Sequence, residues 1–151
     1  MKRLGRLIAF STLVWNAGCE QFECGDVDPV LRVGMGKKSF TPIQDGDLLY
    51  SERGSQGGQH VWVALETEGV NLDEPNLSLS LRYGDEVIGE GDGDWARWKG
   101  DMGAGHTYGL QLFLQPYQDE EVQVDGPVQL VVLLSDNCGT SLLVERSVNL
   151  R

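Results

Sequence analysis

A two-residue hydrophobic period, with no helical period to compete with it, limits this chain more than any other feature. In NLSLSLRY, 76–83, Leu77, Leu79, Leu81 and Tyr83 fall on one side and Asn76, Ser78, Ser80 and Arg82 on the other. Successive side chains of an extended strand point to opposite faces, so this alternation predicts a sheet with one buried face. TYGLQLFLQ, 107–115, repeats it through Tyr108, Leu110, Leu112 and Leu114, and HVWVALETE, 60–68, through Val61, Val63 and Leu65. SLLVERSVNL, 141–150, does so through Leu142, Val144, Val148 and Leu150, with Arg146 interrupting the set. In PVQLVVLLS, 127–135, Val128, Leu130, Val132 and Leu134 alternate, but Val131 and Leu133 make the second face apolar too, which predicts a central strand. Weaker strands are expected at 30–34, 47–51, 86–90 and 94–98. Turn pairs lie between them: Asp45-Gly46, Gly84-Asp85, Gly91-Asp92-Gly93, Asp125-Gly126-Pro127 and Asn137-Cys138-Gly139. Many short strands, frequent glycine-rich turns and no ten-residue helical pattern predict an all-β, antiparallel sandwich or barrel.

The first residues follow a different logic. Lys2, Arg3 and Arg6 form a positive start, Leu7 to Trp15 an apolar run of nine residues, and Ala17, Gly18 and Cys19 follow. A membrane-spanning helix needs about 20 apolar residues. The order therefore reads as an export signal and not as a permanent span or a buried helix. Ala17-Gly18-Cys19 resembles the lipobox of bacterial lipoproteins, with Asn16 where leucine is usual. The resemblance implies cleavage before Cys19, lipid on that cysteine and a membrane anchor at the cell envelope. With Glu20 next and no aspartate there, it implies the outer membrane; plain secretion is the alternative. The expected organisation is signal peptide 1–18, lipidated Cys19 with a short stalk 19–28, and a β-domain 29–151.

Removing residues 1–18 takes away three basic residues and no acid. The remaining 133 residues then set nine cations against 23 acids, a formal charge of −14. Such a chain is suited to one domain with a real core. It lacks the basic surface that nucleic acid requires.

With Cys19 lipidated, two cysteines remain in an oxidising compartment, and a Cys24–Cys138 disulfide is expected. It would close a loop of about 115 residues, worth about 4–5 kcal/mol in the chain-entropy account. Two free thiols, or a Cys19–Cys24 bridge in an unlipidated chain, are the alternatives. VQLVVLLSDNCGTSLLVERSVNL, 128–150, resembles the last hairpin of immunoglobulin-like domains in bacterial surface proteins, though the Cys…Trp…Cys pattern of antibody domains is absent. The resemblance implies an immunoglobulin-like sandwich of about 7–9 strands. In that topology Cys24 and Cys138 lie at one end, and the 54–58, 84–85 and 116–126 loops point away from the membrane.

The chemistry-bearing residues are few. His60 and His106 are far apart, and no nucleophile elbow, zinc-protease, phosphate-loop or dinucleotide motif occurs. No catalysis and no cofactor are expected. GEGDGDW, 89–95, places Glu90, Asp92 and Asp94 at alternate positions, a weak calcium candidate without EF-hand spacing. GSQGGQHVW, 54–62, resembles a G-P-Q-G-G-x-H-V-W stretch of predicted bacterial lipoproteins, with Ser55 in place of the proline, and implies membership of that group but no activity. His60 and Trp62 share one face of their strand, opposite Val61 and Val63. They are either an exposed ligand-contact pair or part of the core. The expected function is non-catalytic binding or scaffolding at the envelope, with a protein or envelope polysaccharide as partner. A calcium- or glycan-binding module is the rival, with Trp62, Trp95 and Trp98 as candidate aromatics. A small exported hydrolase is the third reading; it would need a deep pocket holding His60 or His106 beside a serine or carboxylate.

Overall fold

The computed structural model describes residues 24, 27–55, 57–94, 96–101, 104–115, 122 and 124–151. The expected signal peptide, Cys19, most of the stalk and Trp95 lie outside them.

The described residues hold eleven strands and no helix. In chain order they are β1 (Val30–Met35), β2 (Thr41–Pro42), β3 (Leu48–Leu49), β4 (Ser51–Arg53), β5 (Gln59–Glu68), β6 (Asn76–Tyr83), β7 (Glu86–Asp92), β8 (Lys99–Asp101), β9 (Ala104–Leu114), β10 (Pro127–Ser135) and β11 (Ser141–Leu150). They form one curled sheet in the order β2-β1-β5-β9-β7-β6-β10-β11-β3, with β4 added against β5 and β8 against β9. Every pairing is antiparallel except β11 with β3.

The alternation sets the inner face. Val61, Val63 and Leu65 of β5, Leu77, Leu79 and Leu81 of β6, Leu110, Leu112 and Leu114 of β9, and Val128, Leu130, Val132 and Leu134 of β10 pack into one apolar core. β10 does lie between β6 and β11, but its second face is not covered. Leu133 is 42% exposed, and its cross-strand neighbour Leu143 is 60% exposed. The double apolar pattern therefore marks an outer patch as well as an interior strand.

Three local departures from the simple pattern have physical causes. Tyr108 is expected on the inner face with Leu110, yet Thr107 is buried there and Tyr108 is only half-buried. Tyr108 and Gly109 together oppose Ala64, a bulge that shifts the register between Val63 and Leu65; Gly109 takes φ +72°, which glycine accepts at no steric cost. The expected strand at 47–51 divides at Tyr50: β3 pairs with β11 and β4 with β5. The strand expected at 94–98 is absent from its described part, 94 and 96–98, and pairing resumes at β8.

Arg146 occupies an inward position because the sheet ends there. The Arg146 Nε donates to the Ile43 carbonyl at 3.3 Å, and the 43–51 segment closes this edge. Gly46 N–H donates to Ser147 O at 2.7 Å, Asn149 N–H to Asp47 O at 2.8 Å and Arg151 N–H to Leu49 O at 3.0 Å.

Register divides the loops between two ends. At one end Cys24 and Cys138 are joined by a disulfide, with Cα atoms 5.5 Å apart. Asp136 shapes the adjoining turn: its Oδ1 accepts from Cys138 N–H at 3.0 Å and Thr140 N–H at 2.8 Å, and its Oδ2 from Asn71 N–H at 2.9 Å. At the other end lie the β4–β5 turn, the Gly84-Asp85 turn and residues 122 and 124–126; the rest of the expected 116–126 loop lies outside the described residues. Val122 N–H donates to Gln59 Oε1 at 2.8 Å, and Tyr83 OH to Asp125 O at 3.0 Å.

Candidate functional site

The glycine-rich stretch closes the β4–β5 hairpin. Gly57 and Gly58 have φ of 82° and 73°. Gly54 N–H donates to Gly58 O at 3.0 Å and Gly57 N–H to Gly54 O at 3.1 Å. These amides are satisfied within the turn, so they do not form an anion cradle.

His60 and Trp62 lie on the outer face of β5, where Glu52 of the edge-paired strand β4 and Lys37 meet Trp62 and the Phe113 ring stands 6.1 Å from that of His60. His60 is only 6% exposed, and its ring meets Trp62 edge-on at 4.7 Å. The Trp62 indole N–H donates to Glu52 at 2.8 Å, and the Lys37 ammonium stands 4.6 Å from the centre of the Trp62 ring. The pair is thus neither an open contact site nor part of the main core. The His60 Nε2 is buried without a hydrogen-bond partner among the described residues. Burial pushes the imidazole pKa below its ordinary value; Glu52 opposes this and Lys37 adds to it.

His106 is half-buried toward the opposite end of β9 and stacks on Tyr108 at 4.6 Å. It borders a shallow depression of about 230 Å3 with Arg32, Glu66 and Glu68, and Arg32 pairs with Glu68 at 2.7 Å. No serine lines it among the described residues. The Tyr108 pKa is raised, first by burial and then by the Glu66 carboxylate, to which its hydroxyl donates at 3.4 Å.

In GEGDG the glycines and acids have separate roles. A Cβ on Gly89 would stand 2.6 Å from a Leu112 methyl, one on Gly91 2.6 Å from the Gln111 carbonyl oxygen, and one on Gly93 2.8 Å from Leu77 Cβ. The glycines let β7 lie close against its neighbours. Glu90 and Asp92 fall at exposed positions between them, and Asp94 N–H donates to Asp92 Oδ1 at 3.2 Å. Among the described residues no group of three or more His, Cys, Asp or Glu is arranged to hold a metal ion.

A wide concavity lies beside these acids. β7 pairs with β9 only at Gly89 and Glu90, opposite Leu114 and Phe113, while it follows β6 from Tyr83 to Ser78. An open groove of about 800 Å3 remains, lined by Ser78 and Ser80 of β6, Glu90 and Asp92 of β7, and Gln111 and Phe113 of β9, among others. Register puts Phe113, Glu90 and Ser80 in one cross-strand row and pairs Asp92 with Ser78 beside it. The groove therefore combines carboxylates, hydroxyls, an amide and one aromatic ring.

Of the aromatics expected to mark a ligand face, Trp62 is covered by Lys37, Trp98 packs against the core, and Trp95 lies outside the described residues. Phe113 went unnoticed in the sequence. Its signal is that it interrupts the outward, polar parity of TYGLQLFLQ. No protein-family model, curated protein or solved structure matches this chain.

Proposed function

We propose that this chain is an envelope lipoprotein, anchored through Cys19 and exported to the bacterial cell surface layers, outer membrane first among them. It carries a non-catalytic binding domain of the immunoglobulin-like sandwich type. The groove over β6, β7 and β9 is the observation that carries the binding reading. It is open and partly apolar, and several polar side chains line it together.

The strand order supports the sandwich. Counting only the seven long strands, β1-β5-β9-β7-β6-β10-β11 runs as first, second, fifth, fourth, third, sixth and seventh. That is the Greek-key order of such domains, with the turn of the sheet at β7. The Cys24–Cys138 bridge supports an oxidising compartment. The basic start, apolar run and Ala17-Gly18-Cys19 supply the address.

Intact-mass measurement of the mature protein tests the anchor. The expected species begins at Cys19 and carries acyl chains; a mature chain without lipid would overturn the lipoprotein reading. Cys19→Ala should move the protein out of the membrane fraction. Affinity capture from that fraction, compared between the native protein and Cys19→Ala, then tests whether its partner lies at the envelope.

A further inference from the structure

We infer that the groove over β6, β7 and β9 binds a neutral, hydroxyl-rich ligand of the sugar class. This rests on the reading of the chain as a binding module and names what the module holds.

The lining selects by charge and by hydrogen-bond type. Glu90 and Asp92 are acceptors, Gln111 both donates and accepts, and Ser78 and Ser80 can do either. No basic side chain lines the groove among the described residues. An anionic ligand, such as a phosphate or an acidic polymer, would leave its charge unpaired beside two carboxylates. A bare divalent cation is poorly served as well. Calcium takes 6–8 oxygens and favours clustered carboxylates, whereas the groove has two, no third acidic, His or Cys group is arranged with them among the described residues, and Asp92 already accepts from Asp94 N–H.

A polyol meets both conditions, because its hydroxyls donate to carboxylates and accept from the amide without bringing charge. Phe113 adds the apolar component. Its ring lies in the same cross-strand row as Glu90 and Ser80, so one ligand can touch an aromatic ring, a carboxylate and a hydroxyl together. A sugar ring has this division between apolar C–H faces and a hydroxyl rim.

The test is calorimetric titration of the full mature protein in detergent with chitotriose, cellotriose and maltotriose. Calcium chloride and a tetralysine peptide form separate arms. The expected result is saturable binding of at least one trisaccharide. It should weaken about tenfold on Gln111→Ala and on Glu90→Ala, the order expected when a hydrogen bond to a charged or amide group is lost. Ser80→Ala should weaken it less, and His106→Ala should leave it unchanged. Melting temperatures read on every variant separate lost binding from lost fold, and Ser80→Ala is the mildest change should the others unfold. Binding of none of the three sugars, or sugar binding indifferent to all three groove substitutions, would overturn the inference. So would binding of calcium or tetralysine alone. The intact-mass result is independent of any sugar, so loss of this inference leaves the envelope reading to stand or fall separately.

Discussion

Burial and the Lys37 ammonium hold the His60 imidazole below its usual pKa, with Glu52 pulling the other way. The sign of the linkage follows. An unfolded His60 gains its proton at a higher pH, near 6.5, than the folded one, so in that interval the unfolded chain binds more protons. His60 thus contributes stability that is present above about pH 6.5 and is lost as pH falls through the depressed value. The denaturant midpoint should therefore drop between pH 7.5 and pH 5, and His60→Phe should drop less over the same range. An equal drop in both proteins would sink the assignment. The residue pattern of HVW told which side of β5 His60 and Trp62 share. It could not tell that β4 would pair along the edge of β5 and set Glu52 beside them, because a three-residue strand at 51–53 is too short to carry a period of its own.

Elements with a long apolar alternation were legible, and β5, β6, β9, β10 and β11 lie at or within a few residues of their expected ranges. The rest was set by non-local geometry. The bulge at Tyr108-Gly109 depends on what lies opposite, and the division at Tyr50 depends on two different partner strands. The groove lies where β7 and β9 share only two paired residues, which no window of sequence records. GEGDG read as an acidic turn, yet its glycines form the tight contact. Gly91→Ala forces a methyl to within 2.6 Å of a backbone carbonyl oxygen and should cost about 1–3 kcal/mol, read as a lower melting temperature. Gly84→Ala is the control: its φ is +59° but nothing lies within 4 Å, so only backbone strain of about 1 kcal/mol applies. Equal losses in the two variants would contradict the close-approach account.

Over the whole molecule, one covalent bond links the start of the described chain to its last hairpin. Replacing both Cys24 and Cys138 by alanine should cost about 2–5 kcal/mol of folding stability, visible as a lower denaturant midpoint. An unchanged midpoint would mean that the bridge does not constrain the unfolded chain. The bridge also sets a load path. Tension arriving along the polypeptide ahead of Cys24 passes through the sulfur atoms into the 136–140 turn, between two long strands paired at nine positions. β1 begins six residues after Cys24 and so lies outside that path. A tug that would otherwise unzip β1 from β5 one hydrogen bond at a time is instead borne by the β10–β11 ribbon. Only reduction of the bond would expose the first strand to peeling.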